Sequence, residues 1–310
     1  MPLALYRGDP TKWAEFAPHL RTAFDEAGLT VDLQENGVDP GEVDYLIYAP
    51  TGDIDDFAPF TRLKAVLSLW AGVERIRANK TLTAPLTRMV DPGMTAGMVE
   101  WVTGHVMRHH LDLDAHITRR QPEWPQIAPP LAEERGVAIL GIGALGGACA
   151  TMLAQIGFRV TGWSRTPKTV DGMACRAGLE TLPEVLGAAD IVVLLLPATA
   201  ETENLLNAER LAMMRPGAVL LNPGRGTLID DAALLAALDR GHLAHATLDV
   251  FRQEPLPADH PFWPHPKVTV TPHIASETRP ETSARAIAEN IRRGEAGLPF
   301  LHLFDPARGY

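Results

Sequence analysis

The chain has 310 residues, of which 46% are hydrophobic and 21% charged, and 38 acidic against 28 basic side chains leave a net charge of −10. That length suits two domains, and that charge opposes nucleic-acid binding, which needs a basic footprint. No charge-free apolar run approaches the ~18 residues of a membrane span, and MPLALYRGDP reads as a first strand rather than a secretion signal.

From Leu3 to Met89, short apolar runs alternate with helical patterns. Leu3–Tyr6, Val31–Leu33, Tyr45–Ala49 and Ala65–Leu69 read as strands, Trp13–Ala27 and Val73–Ala78 as helices. This alternation implies βαβ units on a parallel sheet. Trp70, Ala71 and Gly72 stand where a strand gives way to a helix, the edge at which open α/β sheets bind ligands. Thr95–Leu111 reads as a long helix with Thr95 as N-cap and Met98, Val102, His105, Val106 and His109 along one side. No carboxylate sits between His105 and His109 in a metalloprotease pattern, so they read as packed or solvated rather than metal ligands, and no metal site is expected. Gln121–Pro130 carries Pro122, Pro125, Pro129 and Pro130 and is expected to be irregular.

Val137–Thr166 reads as strand, glycine turn, helix and strand. Gly141 permits the tight turn, Gly143 lets backbone approach a pyrophosphate, and Gly146 lets helix and sheet pack closely. The helix opening at Ala144 and Leu145 would point its free N–H groups at that phosphate. The acidic residue that would hold the ribose 2′-hydroxyl of NAD is missing from the next strand end. Ser164, Arg165, Thr166 and Lys168 stand there instead. A hydroxyl and two cations suit a 2′-phosphate, so NADPH is expected, with NADH the weaker cofactor. Cys149 lies on the helix behind the glycines as a small core residue, and it shares no metal-ligand spacing with Cys175, which suits a reducing cytoplasm.

Ala189–Leu196, ending at Pro197, has the apolar character of a central parallel strand. Ala218–Leu221, His245–Val250 and Lys267–Val270 read as three more strands, with crossover helices at Leu206–Met214 and Asp231–Leu238 and a helix stop at Gly241. Just past those three strands stand Arg225, Glu254 and His273. Carboxyl ends of parallel strands share one edge, so a guanidinium, a carboxylate and an imidazole are expected beside the nicotinamide. Arg225 suits the carboxylate of a 2-oxo acid, His273 suits proton donation to its carbonyl, and Glu254 would orient the ring and raise its pKa.

The runs LNPGRGTLIDDAALLAAL (from Leu221), TLDVFRQEPLP (from Thr247), VTVTPHIAS (from Val268) and GIGALGG (from Gly141) resemble the signature of the D-2-hydroxyacid dehydrogenases. LSLWAGVERI, DPGMTAGMVEW, GWSRTPK, TPHIASETRP and the terminal ARGY resemble the bacterial glyoxylate/hydroxypyruvate reductase A group more narrowly. The resemblance implies reduction of glyoxylate to glycolate and hydroxypyruvate to D-glycerate with NADPH, in a homodimer. It places catalysis on Arg225, Glu254 and His273, the nicotinamide amide on Asp249, and the substrate carboxylate on backbone amides at Ala71 and Gly72, with Arg279 facing the substrate. Trp70 departs from a small residue and Glu74 from an aspartate, which puts a bulkier acid such as phenylpyruvate in view. The implied fold is two parallel-sheet α/β domains, Rossmann-like and flavodoxin-like, with an active-site cleft between them. Residues 1–94 plus 281–310 would form the substrate domain and 95–280 the cofactor domain. A corepressor-like NAD(P)H sensor, or oxidation of formate or phosphite, would fit the same fold.

Overall fold

The computed structural model describes residues 1–50, 54–170 and 173–305, so the terminal ARGY lies outside the described residues. The chain divides into two compact units, Met1–Met94 with Thr278–Tyr310, and Thr95–Glu277.

In the first unit the order is β1 (Leu3–Arg7), α1 (Trp13–Glu26), β2 (Asp32–Gln34), β3 (Tyr45–Tyr48), β4 (Ala65–Ser68) and β5 (Leu86–Thr87). The strands form one sheet in the order β2-β1-β3-β4-β5, with every pairing between them parallel. This is the doubly wound order in which ligands sit beyond the strands' carboxyl ends. All four residues of β3 and of β4 are buried, as expected of strands covered on both faces.

Val73–Ala78 is a run of turns rather than the expected helix. Val73 and Ile76 are buried, and a single Arg77 N–H to Val73 O bond (2.9 Å) gives one helical turn. Asn79 stops it: its Oδ1 accepts from Thr81 N (2.9 Å) and Oγ1 (2.7 Å), and its Nδ2 donates to Asp55 O (2.7 Å). A side chain that satisfies local backbone in this way competes with helix propagation.

The next helix, α2 (Pro92–His110), starts three residues before the expected Thr95. Asp91 Oδ1 accepts from Gly93 N (2.8 Å) and Met94 N (3.2 Å), and Pro92 fills the first helical position, where its missing N–H is no loss. The second unit continues with α3 (Leu113–Ile117), β6 (Gly136–Leu140), α4 (Ala144–Ile156), β7 (Arg159–Ser164), β8 (Ala174–Ala177), α5 (Leu182–Ala188), β9 (Ile191–Leu194), α6 (Ala208–Met213), β10 (Ala218–Asn222), α7 (Asp231–Asp239), β11 (Leu243–Leu248) and β12 (Val268–Val270). Its sheet runs β12-β11-β10-β9-β6-β7-β8, again parallel throughout its pairings. The order reverses between β6 and β9, so their carboxyl ends form the topological switch point.

Alternation fills both faces of that sheet. Ala138, Leu140, Val192, Leu194 and Leu220 pack into one core layer. Val137, Ile139, Ile191, Val193, Val219 and Leu221 pack into the other, with Met98, Val102 and Val106 of α2. Each fully buried aliphatic contributes roughly 1.5–3 kcal/mol, so these strands hold the switch point rigidly. Gln121–Pro130 has no regular structure and is exposed throughout.

The chain then returns to the first unit as α8 (Pro280–Glu295). Ala284, Ile287, Ala288 and Ile291 bury one face of it, as their spacing requires. Glu295 accepts from Tyr45 Oη (2.7 Å) and pairs with Lys64 (2.7 Å), while Phe304 N donates to Leu86 O (2.8 Å). Among the described residues no helix is long and apolar enough to cross a membrane.

Candidate active site

The switch point is built by glycines with separate steric reasons. Gly141 has φ +106°, and a Cβ there would stand 2.5 Å from Leu195 O. A Cβ on Gly146 would stand 1.9 Å from Gly141 O, so turn and helix touch backbone to backbone. A Cβ on Gly143 would meet nothing within 4 Å. No packing within the protein demands glycine at 143, so the space above it is open to a visiting group. Gly143 is also the N-cap of α4 and offers no side-chain bond to the first turn. The N–H groups of that turn, exposed at Ala144 and half-buried at Leu145, face outward with the positive end of the helix. This cradle fits a dinucleotide pyrophosphate.

At the carboxyl end of β7, Ser164 is buried and its Oγ donates to Thr166 O (2.7 Å), so the hydroxyl shapes the turn rather than facing outward. Arg165, Thr166 and Lys168 are exposed. Arg165 Nη1 pairs with Glu201 of the loop after β9, and Lys168 Nζ lies 3.5 Å from Ile142 O of the glycine turn. Beyond β9, Pro197 O accepts from Thr202 Oγ1 (2.7 Å), which itself accepts from Thr199 N (2.9 Å), closing that loop.

Three neighbouring loops carry the reactive groups. After β10, buried Asn222 donates to Arg225 O (2.9 Å) and accepts from Gly224 N (3.1 Å), fixing the turn that presents Arg225. A Cβ on Gly226 would stand 2.0 Å from Phe251 C, so this loop and the one after β11 pass in direct backbone contact. In the second loop Glu254 Oε1 accepts from Phe251 N (2.8 Å), and Arg252 Nη2 donates to Ile229 O (2.6 Å). After β12, His273 has φ +54°, held by its N–H to Asp249 O (2.8 Å) and Thr271 O (3.0 Å). A left-handed non-glycine residue persists only where its surroundings over-determine it.

His273 Nδ1 meets Glu254 Oε2 at 2.7 Å, with the imidazole 53% exposed. The hydrogen bond to Glu254 raises the His273 pKa above the ordinary histidine value against the opposing effect of burial, and Arg225 pulls it slightly back. Burial alone would raise the Glu254 carboxyl, but the bonds from His273 and Phe251 N–H outweigh it and hold the carboxyl below its usual range, with Arg225 adding to the effect. The guanidinium, carboxylate and imidazole are thus electrostatically one group. The arrangement favours the protonated imidazole and directs Nε2 away from its carboxylate partner.

Asp249 is wholly buried. Its Oδ1 accepts from Thr271 Oγ1 (2.6 Å) and Ile274 N (2.9 Å), and its Oδ2 from Ala275 N (2.9 Å). The carboxylate expected at the nicotinamide amide thus also anchors the His273 loop. Sequence reading missed Thr271, Asn222 and Arg252 in these bracing roles. The available signal for Thr271 was its place directly after β12, level with Asp249 directly after β11.

In the first unit, Trp70 N donates to Ser68 Oγ (3.0 Å), and Trp70 O accepts from Met89 N (3.0 Å), leaving the indole 39% exposed. Ala71 and Gly72 are half-buried. Arg279 is exposed at the N-cap of α8, where its carbonyl accepts from Ser283 Oγ (2.7 Å). His109 of α2 and His245 of β11 lie with ring centroids 4.9 Å apart, His109 Nε2 meeting Thr247 Oγ1 (3.0 Å) and His245 Nε2 meeting Thr269 Oγ1 (2.8 Å).

Residues 103–275 match the family model described as D-isomer specific 2-hydroxyacid dehydrogenase, NAD binding domain. The chain belongs to this family. Among family members, the glyoxylate/hydroxypyruvate reductase A of Yersinia enterocolitica is 40% identical over 281 residues, spanning 88% of this chain and 89% of that one. The same-named protein of Serratia proteamaculans is 40% identical over 299 residues, spanning 92% and 95%. A D-isomer specific 2-hydroxyacid dehydrogenase from Xanthobacter autotrophicus Py2, solved with NADPH and MES, superposes with a TM-score of 0.93 at 43% identity, covering 100% and 99% of the two chains. The NADPH-dependent glyoxylate/hydroxypyruvate reductase of Sinorhizobium meliloti, solved with NADP and sulfate, gives 0.87 at 30% identity over the whole of both chains. This chain is therefore a dehydrogenase of the 2-hydroxyacid family, and it spans nearly the full length of those relatives.

Proposed function

We propose that this dehydrogenase reduces small 2-oxo acids with NADPH, glyoxylate to glycolate and hydroxypyruvate to D-glycerate, with His273 as general acid. The observation that carries the reading is the 2.7 Å His273–Glu254 pair, which favours protonation of a half-exposed imidazole against the field of Arg225. The Yersinia and Serratia relatives support the substrate class by name, and the Xanthobacter and Sinorhizobium structures support the cofactor.

The N-terminus of α4 would hold NADPH, with Arg165 and Lys168 toward its 2′-phosphate, and the bound cofactor would supply the hydride. Arg225 binds the substrate carboxylate and polarises the adjacent carbonyl. Backbone amides at Ala71 and Gly72 are the further carboxylate donors that the family resemblance implies. His273 gives the proton on Nε2 to the carbonyl oxygen as that oxygen becomes an alkoxide, while Nδ1–H stays on Glu254. Glu254 fixes the ring and stabilises its charge, and a proton from solvent restores the acid. Trp70, exposed at the strand end, favours a second reading in which a bulkier acid such as phenylpyruvate is preferred.

A cytoplasmic homodimer belongs to the same reading. The support is resemblance, two free cysteines, and a run of exposed apolar side chains at Ile117 (69%), Trp124 (88%), Ile127 (80%) and Leu131 (65%). Initial rates with NADPH and NADH against glyoxylate, hydroxypyruvate, pyruvate and phenylpyruvate test the function. Turnover of the two small acids with NADPH upholds it, and turnover of phenylpyruvate alone replaces it with the second reading. NADPH binding without turnover of any acid would instead make the protein a sensor.

A further inference from the structure

Arg165 and Glu201 come from the loops after β7 and β9, and β6 lies between those strands in the sheet. Their ion pair therefore spans the carboxyl end of β6, where the glycine turn opens. Both side chains are accessible, at 48% and 63% exposure, so the pair lies within reach of solvent and of a bound cofactor.

We propose that Glu201 is a specificity-determining residue that competes with the cofactor's 2′-phosphate for Arg165 and so limits the preference for NADPH over NADH. The inference rests on the NADPH reading above. A ribose 2′-phosphate carries close to two negative charges near neutral pH, and Arg165 is its principal cation at this strand end. Glu201 already holds one edge of that guanidinium. A phosphate that arrives must displace the carboxylate or share the cation with it, and sharing sets two anions side by side within a Debye length. Ser164 gives no relief, since its hydroxyl proton is committed to Thr166 O. NADH presents no phosphate and meets no such conflict, so the carboxylate acts against one cofactor only.

The test is binding, not turnover: dissociation constants for NADPH, NADH and adenosine 2′,5′-bisphosphate by titration calorimetry on the wild type, Glu201→Gln, Arg165→Ala and the double variant. Glu201→Gln is expected to tighten NADPH and the bisphosphate by roughly two- to fivefold, the scale of an exposed ion pair, and to leave NADH unchanged. That gain is expected to shrink at 0.5 M salt and in the Arg165→Ala background. Unchanged or weakened NADPH binding in Glu201→Gln, together with loss of the NADPH preference in Arg165→Ala, would overturn the competition while leaving the 2′-phosphate reading intact. A preference untouched by Arg165→Ala would overturn the 2′-phosphate reading and this inference with it.

Discussion

Asp249→Ala removes one carboxylate and strands three donors. Thr271 Oγ1–H, Ile274 N–H and Ala275 N–H all point at a side chain with no solvent access, so water cannot replace it without opening the loop. Hydrogen bonds to a charged acceptor are worth about 1.5–3 kcal/mol each, but they do not add, because one loop movement releases all three. Removing one partner of a buried charged network typically costs about 3–5 kcal/mol, and that is the expected loss. At about 2–4 °C per kcal/mol for a unit of this size, the melting temperature should fall by roughly 6–20 °C. Asp249→Asn keeps one acceptor but turns an NH2 toward a donor, and Thr271→Val removes a single bond. Each should cost about 1–3 kcal/mol. The same loop holds His273 in its left-handed conformation, so turnover should fall with stability, a misplacement of about 1 Å costing up to 100-fold. Thermal melts by circular dichroism, with kcat on the same samples, check this. An Asp249→Ala protein that melts within about 2 °C of wild type and turns over normally would refute the anchor role.

Glu254→Gln removes the charge that raises the His273 pKa. Reduction needs the protonated ring, so activity is full below that raised value and lost as pH rises through it. The variant should lose its alkaline limb of kcat/KM at a lower pH than wild type, and an unmoved limb would mean that Glu254 does not set the proton. Gly143→Val should leave the melt unchanged, since its side chain meets open space, while weakening NADPH by at least about tenfold, or 1.4 kcal/mol. Gly146→Val should instead fail to fold, and equal melts for the two would contradict the steric assignment. Burial pushes the His109 pKa down to about 3 and that of His245 to about 4, with His245 adding to the effect at His109 and Arg108 at both. Folded histidines that stay neutral while unfolded ones protonate cost stability as pH falls from about 6.5 toward those values, at most roughly 1.4 kcal/mol per pH unit each. Denaturant melts from pH 7 to pH 4.5 should show that decline, and His109→Gln should flatten it.

Features that depend on a few neighbouring residues were legible. The β6–α4–β7 stretch is written in glycine positions and in apolar runs that leave no polar face, and the second sheet follows because each of its strands ends in a break. Arg225, Glu254 and His273 could be gathered on one edge because parallel strands share a polarity. What depends on side chains reaching elsewhere was not legible. Val73–Ala78 has a helical pattern that Asn79 terminates through bonds to Asp55 and Thr81. The start of α2 moved to Asp91 because a proline after an N-cap outranks a later threonine. Asp249 was expected at the nicotinamide amide, and its three bonds to the loop after β12 had no local signal. Glu201 carries no local signal, since its partner is Arg165, two strands away in the sheet.

The central claim is that His273 supplies the proton. Single-turnover reduction of glyoxylate by NADPH in His273→Gln, with NADPH affinity measured on the same protein, tests it most directly. The account predicts a rate lowered by about 10²–10⁴-fold with cofactor binding unchanged. A rate within tenfold of wild type, at equal NADPH affinity, would contradict it.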